Sequence, residues 1–164
     1  MRITAAALTC LLTLTSCGGG PPIFSGSTDH AVVTTGVVMD IFTRVVMTGG
    51  ATLLVPFGAD PHGHELTPGA AAEAFQGDLV IAVGGGFEGF SDVLEAAKAD
   101  GVRVIELVSV VDPIIRDGLP DPHFWLDPVR VDMAARYLAD ELQVRVDTGV
   151  EALSVELAHV QAQV

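Results

Sequence analysis

The sequence predicts an α/β protein built on an open parallel four-stranded sheet flanked by helices. Three observations predict it. Short runs of β-branched residues rotate with longer segments of helical periodicity, and strict rotation of that kind requires crossover connections between parallel strands. The run 78–83 (DLVIAV) is apolar without alternation after its first residue, as expected of a strand covered by helices on both faces. Finally, 164 residues with 49% hydrophobic and 18% charged side chains suffice for one globular core.

The elements follow in order. Residues 31–38 (AVVTTGVV) read as the first strand, because valine and threonine dominate them. Residues 39–48 read as a helix, with Ile41, Val45 and Val46 on one face and Gly49-Gly50 as the stop. Residues 51–57 (ATLLVPF) form the second strand, and residues 68–76 a short helix with Thr67 as N-cap and Pro68 at its first position. Residues 78–83 are the third strand. Residues 87–100 read as a helix presenting Phe90, Val93, Leu94 and Ala97 on one face, with Gly101 beyond its end. Residues 102–107 (VRVIEL) make the fourth strand, and 128–144 and 150–164 two further helices. There is no internal repeat and no low-complexity segment. The last helix reaches Val164 without a capping signal, so a continuation of the natural protein is expected.

The first residues carry a different message. Arg2 precedes an apolar run at 3–14, which ends in Leu14-Thr15-Ser16-Cys17 and three glycines. A short apolar segment closed by small residues reads as a secretory signal. Its ending resembles a lipobox, in which cleavage leaves a lipid-bearing cysteine as the new N-terminus. Residues 1–16 are therefore expected to be a lipoprotein signal peptide, Cys17 the lipid attachment point, and 17–29 a flexible tether. Cys10 leaves with the signal, so no disulfide is expected. The expected location is the outer face of the bacterial cytoplasmic membrane or cell surface. A net charge of −13 argues against a nucleic-acid partner.

Open parallel sheets place ligands outside the carboxyl ends of their strands. The loop after the second strand is Gly58-Ala59-Asp60-Pro61-His62-Gly63-His64-Glu65. The loop after the fourth strand leads into Asp121-Pro122-His123-Phe124-Trp125-Leu126-Asp127-Pro128. Both carry Asp-Pro-His at the same end of the predicted sheet. Neutral imidazole is a preferred ligand of zinc and its neighbours. Proline before each histidine stiffens the backbone, and an aspartate can orient an imidazole through its second nitrogen. Phe124 and Trp125 supply a dry wall. His62 and His123 are thus the candidate metal ligands, with His64 as an auxiliary candidate. His30 and His159 read as surface groups.

The same residues carry a family resemblance. PFGADPHGHELTP resembles the first metal-binding loop of the metal-binding substrate-binding proteins of zinc and manganese ABC transporters. DPHFWLDP resembles their second, and DLVIAVGGGFEGF the segment between. The resemblance implies two α/β lobes joined by a long helix, with the metal in the cleft between them. It matches His62 and His123 to the two histidine ligands of the N-terminal lobe. It implies a non-enzymatic lipoprotein that captures Zn²⁺ (or Mn²⁺) and delivers it to an ABC permease. Residues 30–147 are then the metal-binding lobe and 148–164 the start of the inter-lobe helix, the second lobe and its ligands lying outside this sequence. The long histidine-rich loop of many zinc importers is absent. Some relatives are described as adhesins, which leaves a metal-binding surface adhesin as an alternative.

Two enzymatic alternatives compete. Gly84, Gly86 and Gly89 satisfy G-x-G-x-x-G after a predicted strand, and Glu106 lies twenty residues beyond Gly86, where a dinucleotide-binding fold keeps its ribose-binding acid. Export and the third-strand position weigh against an NAD-type enzyme. A hydrolytic metalloenzyme using the two histidines with Glu65 and Asp127 is the other, but there is no HExxH and no G-x-S-x-G.

Overall fold

The computed structural model describes residues 30–46, 50–144 and 149–162. The expected signal peptide (1–16), lipid attachment point (Cys17) and tether (17–29) lie outside the described residues. Strands β1 (Ala31–Val33), β2 (Ala51–Leu53), β3 (Leu79–Ala82) and β4 (Arg103–Glu106) form one sheet in the order β2-β1-β3-β4. Every pairing in it is parallel. The predicted open parallel four-stranded sheet is therefore the sheet observed.

Alternate strand residues face opposite layers, because the strand repeat is two. Ala31, Val33, Leu79, Ile81 and Ile105 face one layer, where they meet Val38, Ile41, Phe42 and Val45 of α1 (Gly36–Val46). Ala134, Ala135, Leu138 and Ala139 of α4 (Pro128–Glu141) and Val150 and Leu153 of α5 (Gly149–Gln161) complete that layer. Val32, Val80 and Ala82 face the other, against Ala74 of α2 (Pro68–Gln76) and Leu94 of α3 (Ser91–Ala99). Each large apolar side chain buried in this way contributes about 1.5–3 kcal/mol. Helix α5 is held to α1 by the Arg44–Glu156 ion pair at 2.7 Å and to α4 by the Arg136–Ser154 hydrogen bond at 2.9 Å.

The structure corrects several boundaries. The first strand ends at Val33 rather than at residue 38, and Gly36 already opens α1. Thr35 explains this: its hydroxyl accepts from the Val38 N–H at 3.4 Å, and its carbonyl from Met39 N at 2.9 Å, so it caps a helix. The helix expected from residue 87 begins at Ser91, because Gly84, Gly85 and Gly86 all adopt positive φ and occupy the chain in a turn. Helix α4 ends at Glu141 rather than 144, where Gln143 adopts the left-handed φ of 51° and reverses the backbone. Helix α2 matches its expected limits, and the Thr67 hydroxyl accepts from Ala70 N at 3.2 Å.

One feature was not expected. Strands β5 (Ile115–Arg116) and β6 (Leu119–Pro120) form a hairpin before the second Asp-Pro-His. Its two turn residues, Asp117 and Gly118, have φ of 52° and 82°, and Asp-Gly is the pair this turn favours.

Candidate metal centre

Strand β1 has β2 on one side and β3 on the other, so the chain leaving β2 must cross over to the far side of the sheet. Such a reversal opens a crevice beyond the carboxyl ends of the strands. The loop leaving β2 enters this crevice and carries His62. Its Asp60 folds back, so that the carboxylate accepts the His62 N–H at 3.1 Å. The Pro61 carbonyl accepts the Gly89 N–H of the turn after β3 at 2.9 Å. The contact is close: a Cβ on Gly89 would lie 2.4 Å from the His62 carbonyl oxygen.

The second loop repeats the device. The Asp121 carboxylate accepts the backbone N–H of His123 at 3.0 Å, and its same oxygen lies 2.7 Å from His123 Nδ1. Since a carboxylate can only accept, Nδ1 carries the proton and Nε2 is left bare for a ligand. Three contacts hold the Asp121 carboxyl at about 2, well below the ordinary range: first the His123 backbone N–H, then the His123 ring, then Arg116. Phe124, buried in the core, anchors the loop immediately after His123.

The two loops bring His62 and His123 together, with ring centres 6.1 Å apart and planes at 49°. The edge of Phe87 lies against both rings, at 4.4 Å from His62 and 5.7 Å from His123, and Trp125 stacks obliquely on His123 at 5.2 Å. A tetrahedral zinc with Zn–N of about 2.0–2.1 Å sets two ligating ring centres roughly 5 Å apart. The observed pair is about 1 Å wider than that reference, within reach of a small rotation of exposed side chains. The spacing of the two rings is therefore compatible with a shared transition-metal ion.

His64 does not join the pair. Its ring contact is with Phe90, at 6.4 Å; i to i+2 spacing in a loop does not force both rings onto one ion. His30 sits 3.5 Å from Glu73 of α2. No group of three His, Cys, Asp or Glu side chains suited to a metal occurs among the described residues. Two imidazoles would supply half of the ligands of a four-coordinate metal.

The glycine turn has a different role from the one its motif suggests. Glu88 is 2% exposed, and its carboxylate accepts the Thr34 hydroxyl at 2.6 Å, Val83 N at 2.8 Å and Gly84 N at 3.1 Å. Glu106 accepts Gly85 N at 3.1 Å. The amides that would cradle a pyrophosphate are thus bound to carboxylates, and the acid that would take a ribose is one of them. The dinucleotide reading fails on this geometry. Sequence reasoning did not single out Glu88 or the packing role of Gly89. Their signal was the glycine-rich turn itself, whose amides and missing side chains serve protein partners.

The model of the periplasmic zinc-uptake complex component A family matches residues 32–163. The manganese-binding lipoprotein MntA of Halalkalibacterium halodurans is 32% identical over 103 residues, covering 61% of this chain and 34% of that protein. A putative metal-binding protein of Thermotoga maritima is 37% identical over 81 residues, covering 49% of this chain and 28% of that protein. Among solved structures, the periplasmic zinc-binding protein TroA from Treponema pallidum aligns with a TM-score of 0.69 at 19% identity, over 84% of this chain and 54% of that one. The solute-binding protein FpvC of Pseudomonas aeruginosa, in complex with Mn²⁺, aligns with a TM-score of 0.68 at 18% identity, over 84% and 55%. At these identities the structural likeness is one of fold. The match to the MntA protein spans about a third of that relative's length, 34%.

Proposed function

The chain belongs to the periplasmic zinc-uptake complex component A family, and we propose that it is the metal-capturing lobe of an exported lipoprotein that binds Zn²⁺, with Mn²⁺ as the alternative, and hands it to an ABC permease. The observation that carries this reading is the convergence of two Asp-Pro-His loops, with His62 and His123 ring centres 6.1 Å apart. In this reading His62 and His123 hold the ion, His123 through Nε2, and no bond of the ligand is made or broken. Asp121 supports it by fixing the His123 tautomer. An all-imidazole donor pair favours zinc over manganese, which takes more oxygen ligands. The remaining donors come from a second lobe outside this sequence, in keeping with the share of the relatives' length that the chain spans.

The domain reading belongs to the same proposal. Residues 1–16 are the signal peptide, Cys17 carries the lipid, 17–29 tether residues 30–147, and 148–164 begin the inter-lobe helix. The chain is then held at the outer face of the membrane by its lipid. No helix among the described residues is long and apolar enough to cross a membrane.

Calorimetric titration of the chain with Zn²⁺ and Mn²⁺, beside His62→Ala and His123→Ala, tests the reading. Each variant is expected to lose zinc affinity by at least tenfold. Unchanged affinity in both contradicts it.

A further inference from the structure

We propose that the β5–β6 hairpin sets how firmly this lobe holds its ion, with Arg116 as a positioning residue that acts on His123 through Asp121. The inference rests on the reading of His123 as a ligand and adds a residue that lies outside both Asp-Pro-His loops. Arg116 stands on β5, and its Nε donates to Asp121 Oδ2 at 2.5 Å. The other oxygen, Oδ1, serves both His123 donors, the backbone N–H at 3.0 Å and Nδ1 at 2.7 Å. The carboxylate is thus divided: the hairpin holds one oxygen, and the other holds the histidine. The main chain adds a second tie, since the Asp121 N–H donates to the Ile114 carbonyl at 2.7 Å. The hairpin itself is closed by the Asp117-Gly118 turn, which pairs Arg116 with Leu119.

The first Asp-Pro-His loop has no such support. The Asp60 carboxylate accepts the His62 N–H at 3.1 Å, but among the described residues the exposed His62 ring meets the rings of Phe87 and His123 and no carboxylate. The two ligands are therefore unequal. His123 presents a preset Nε2, and His62 keeps the freedom to rotate onto the ion. Arg116 exerts two opposed effects on a bound cation. Its charge repels the ion and draws on the same carboxylate as the ring, while its hold on Asp121 keeps Oδ1 aimed at Nδ1. The guanidinium is 69% exposed, so water and salt screen the repulsion, whereas Asp121, 18% exposed, works at contact distance. Orientation wins, and Arg116 raises zinc affinity.

The test is calorimetric zinc titration of the full chain, beside long-range ¹H–¹⁵N spectra of its imidazoles without metal. In the metal-free protein His123 is expected to show one tautomer, protonated at Nδ1, and His62 a mixture of both. Arg116→Met keeps the stem and removes the head group. It is expected to lose zinc affinity about three- to tenfold, less than the loss of a ligand's direct partner, and to broaden the His123 Nδ1 proton signal while His62 is unchanged. Arg116→Lys keeps a charge for Oδ2 and is expected to stay within about twofold of the wild type, because the contact is a single hydrogen bond and not a bidentate fork. With Asp121→Ala already in place, Arg116→Met is expected to have no further effect. Unchanged affinity and an unchanged Nδ1 signal in Arg116→Met, while His123→Ala still loses zinc, overturn the positioning role alone. A gain in affinity overturns it too, since repulsion then outweighs orientation. So does an equal loss in the Asp121→Ala background, because Arg116 then acts by another route. Zinc affinity untouched by His123→Ala overturns the ligand reading, and the proposal with it.

Discussion

The carbonyl oxygen of His62 and the α-carbon of Gly89 are packed so closely that a Cβ on Gly89 would sit 2.4 Å from that oxygen. The turn after β3 thus positions the first histidine by having no side chain at one point. Gly89→Ala is expected to displace the His62 loop, lowering zinc affinity about tenfold or more and stability by about 1–3 kcal/mol. Zinc titration and urea unfolding of the variant check this. Wild-type affinity at wild-type stability contradicts it.

Glu88 closes the same turn from beneath. Its carboxylate serves Thr34, Val83 and Gly84 together. Glu88→Gln keeps the size but turns one acceptor into a donor facing a donor, at an expected cost of about 2–4 kcal/mol. Denaturant unfolding measures it. A loss below about 0.5 kcal/mol, the scale of ordinary surface changes, contradicts the role.

Asp121 orients His123. Asp121→Asn is expected to weaken zinc binding about 10–100-fold, the usual effect of losing the group behind a ligating imidazole. Isothermal titration of the variant settles the size, and unchanged affinity contradicts it.

Acid dependence follows from the same pair. The Asp121 carboxyl is lowered to about 2, so its folded-state contribution is complete above the ordinary carboxylate range and is lost only as pH falls towards 2. The Asp121 carboxyl of the folded chain is therefore expected to stay ionised through the ordinary carboxylate range, held by the His123 backbone N–H and ring and by Arg116. Carboxyl ¹³C shifts followed during an acid titration check this, and protonation of Asp121 at about pH 4 contradicts it.

The occupied amides of Gly84 and Gly85 give a negative expectation. NADH fluorescence is expected to be unchanged by the protein at any accessible concentration, since Glu88 and Glu106 hold the donors that a pyrophosphate needs. Saturable binding contradicts the assignment of that turn.

How far the sequence could be read varies with the kind of signal. The strand-helix rotation and the unbroken apolar run of β3 disclose the parallel sheet, because burial on both faces leaves a compositional mark. Helix α2 is legible to its ends because Thr67 and Pro68 act locally. The junction at Thr35 is not, since valine and threonine suit a strand and the first turn of a helix alike, and a capping bond decides between them. The two Asp-Pro-His loops are legible as a repeated tripeptide at one sheet edge. Their meeting is not, because the crossing of the β2 loop over to Gly89 depends on strand order. The G-x-G-x-x-G motif misleads for a related reason: a turn with free amides and one with amides bound to Glu88 and Glu106 share the same glycines.

The central claim is that His62 and His123, and no other histidines, take the metal. Long-range ¹H–¹⁵N spectra of the imidazole side chains, recorded with and without Zn²⁺, resolve all five histidines separately. The ring nitrogens of His62 and His123 are expected to shift on zinc addition, His123 at Nε2, while His30, His64 and His159 keep their positions. Shifts confined to the other three histidines, or none at either Asp-Pro-His, contradict the account.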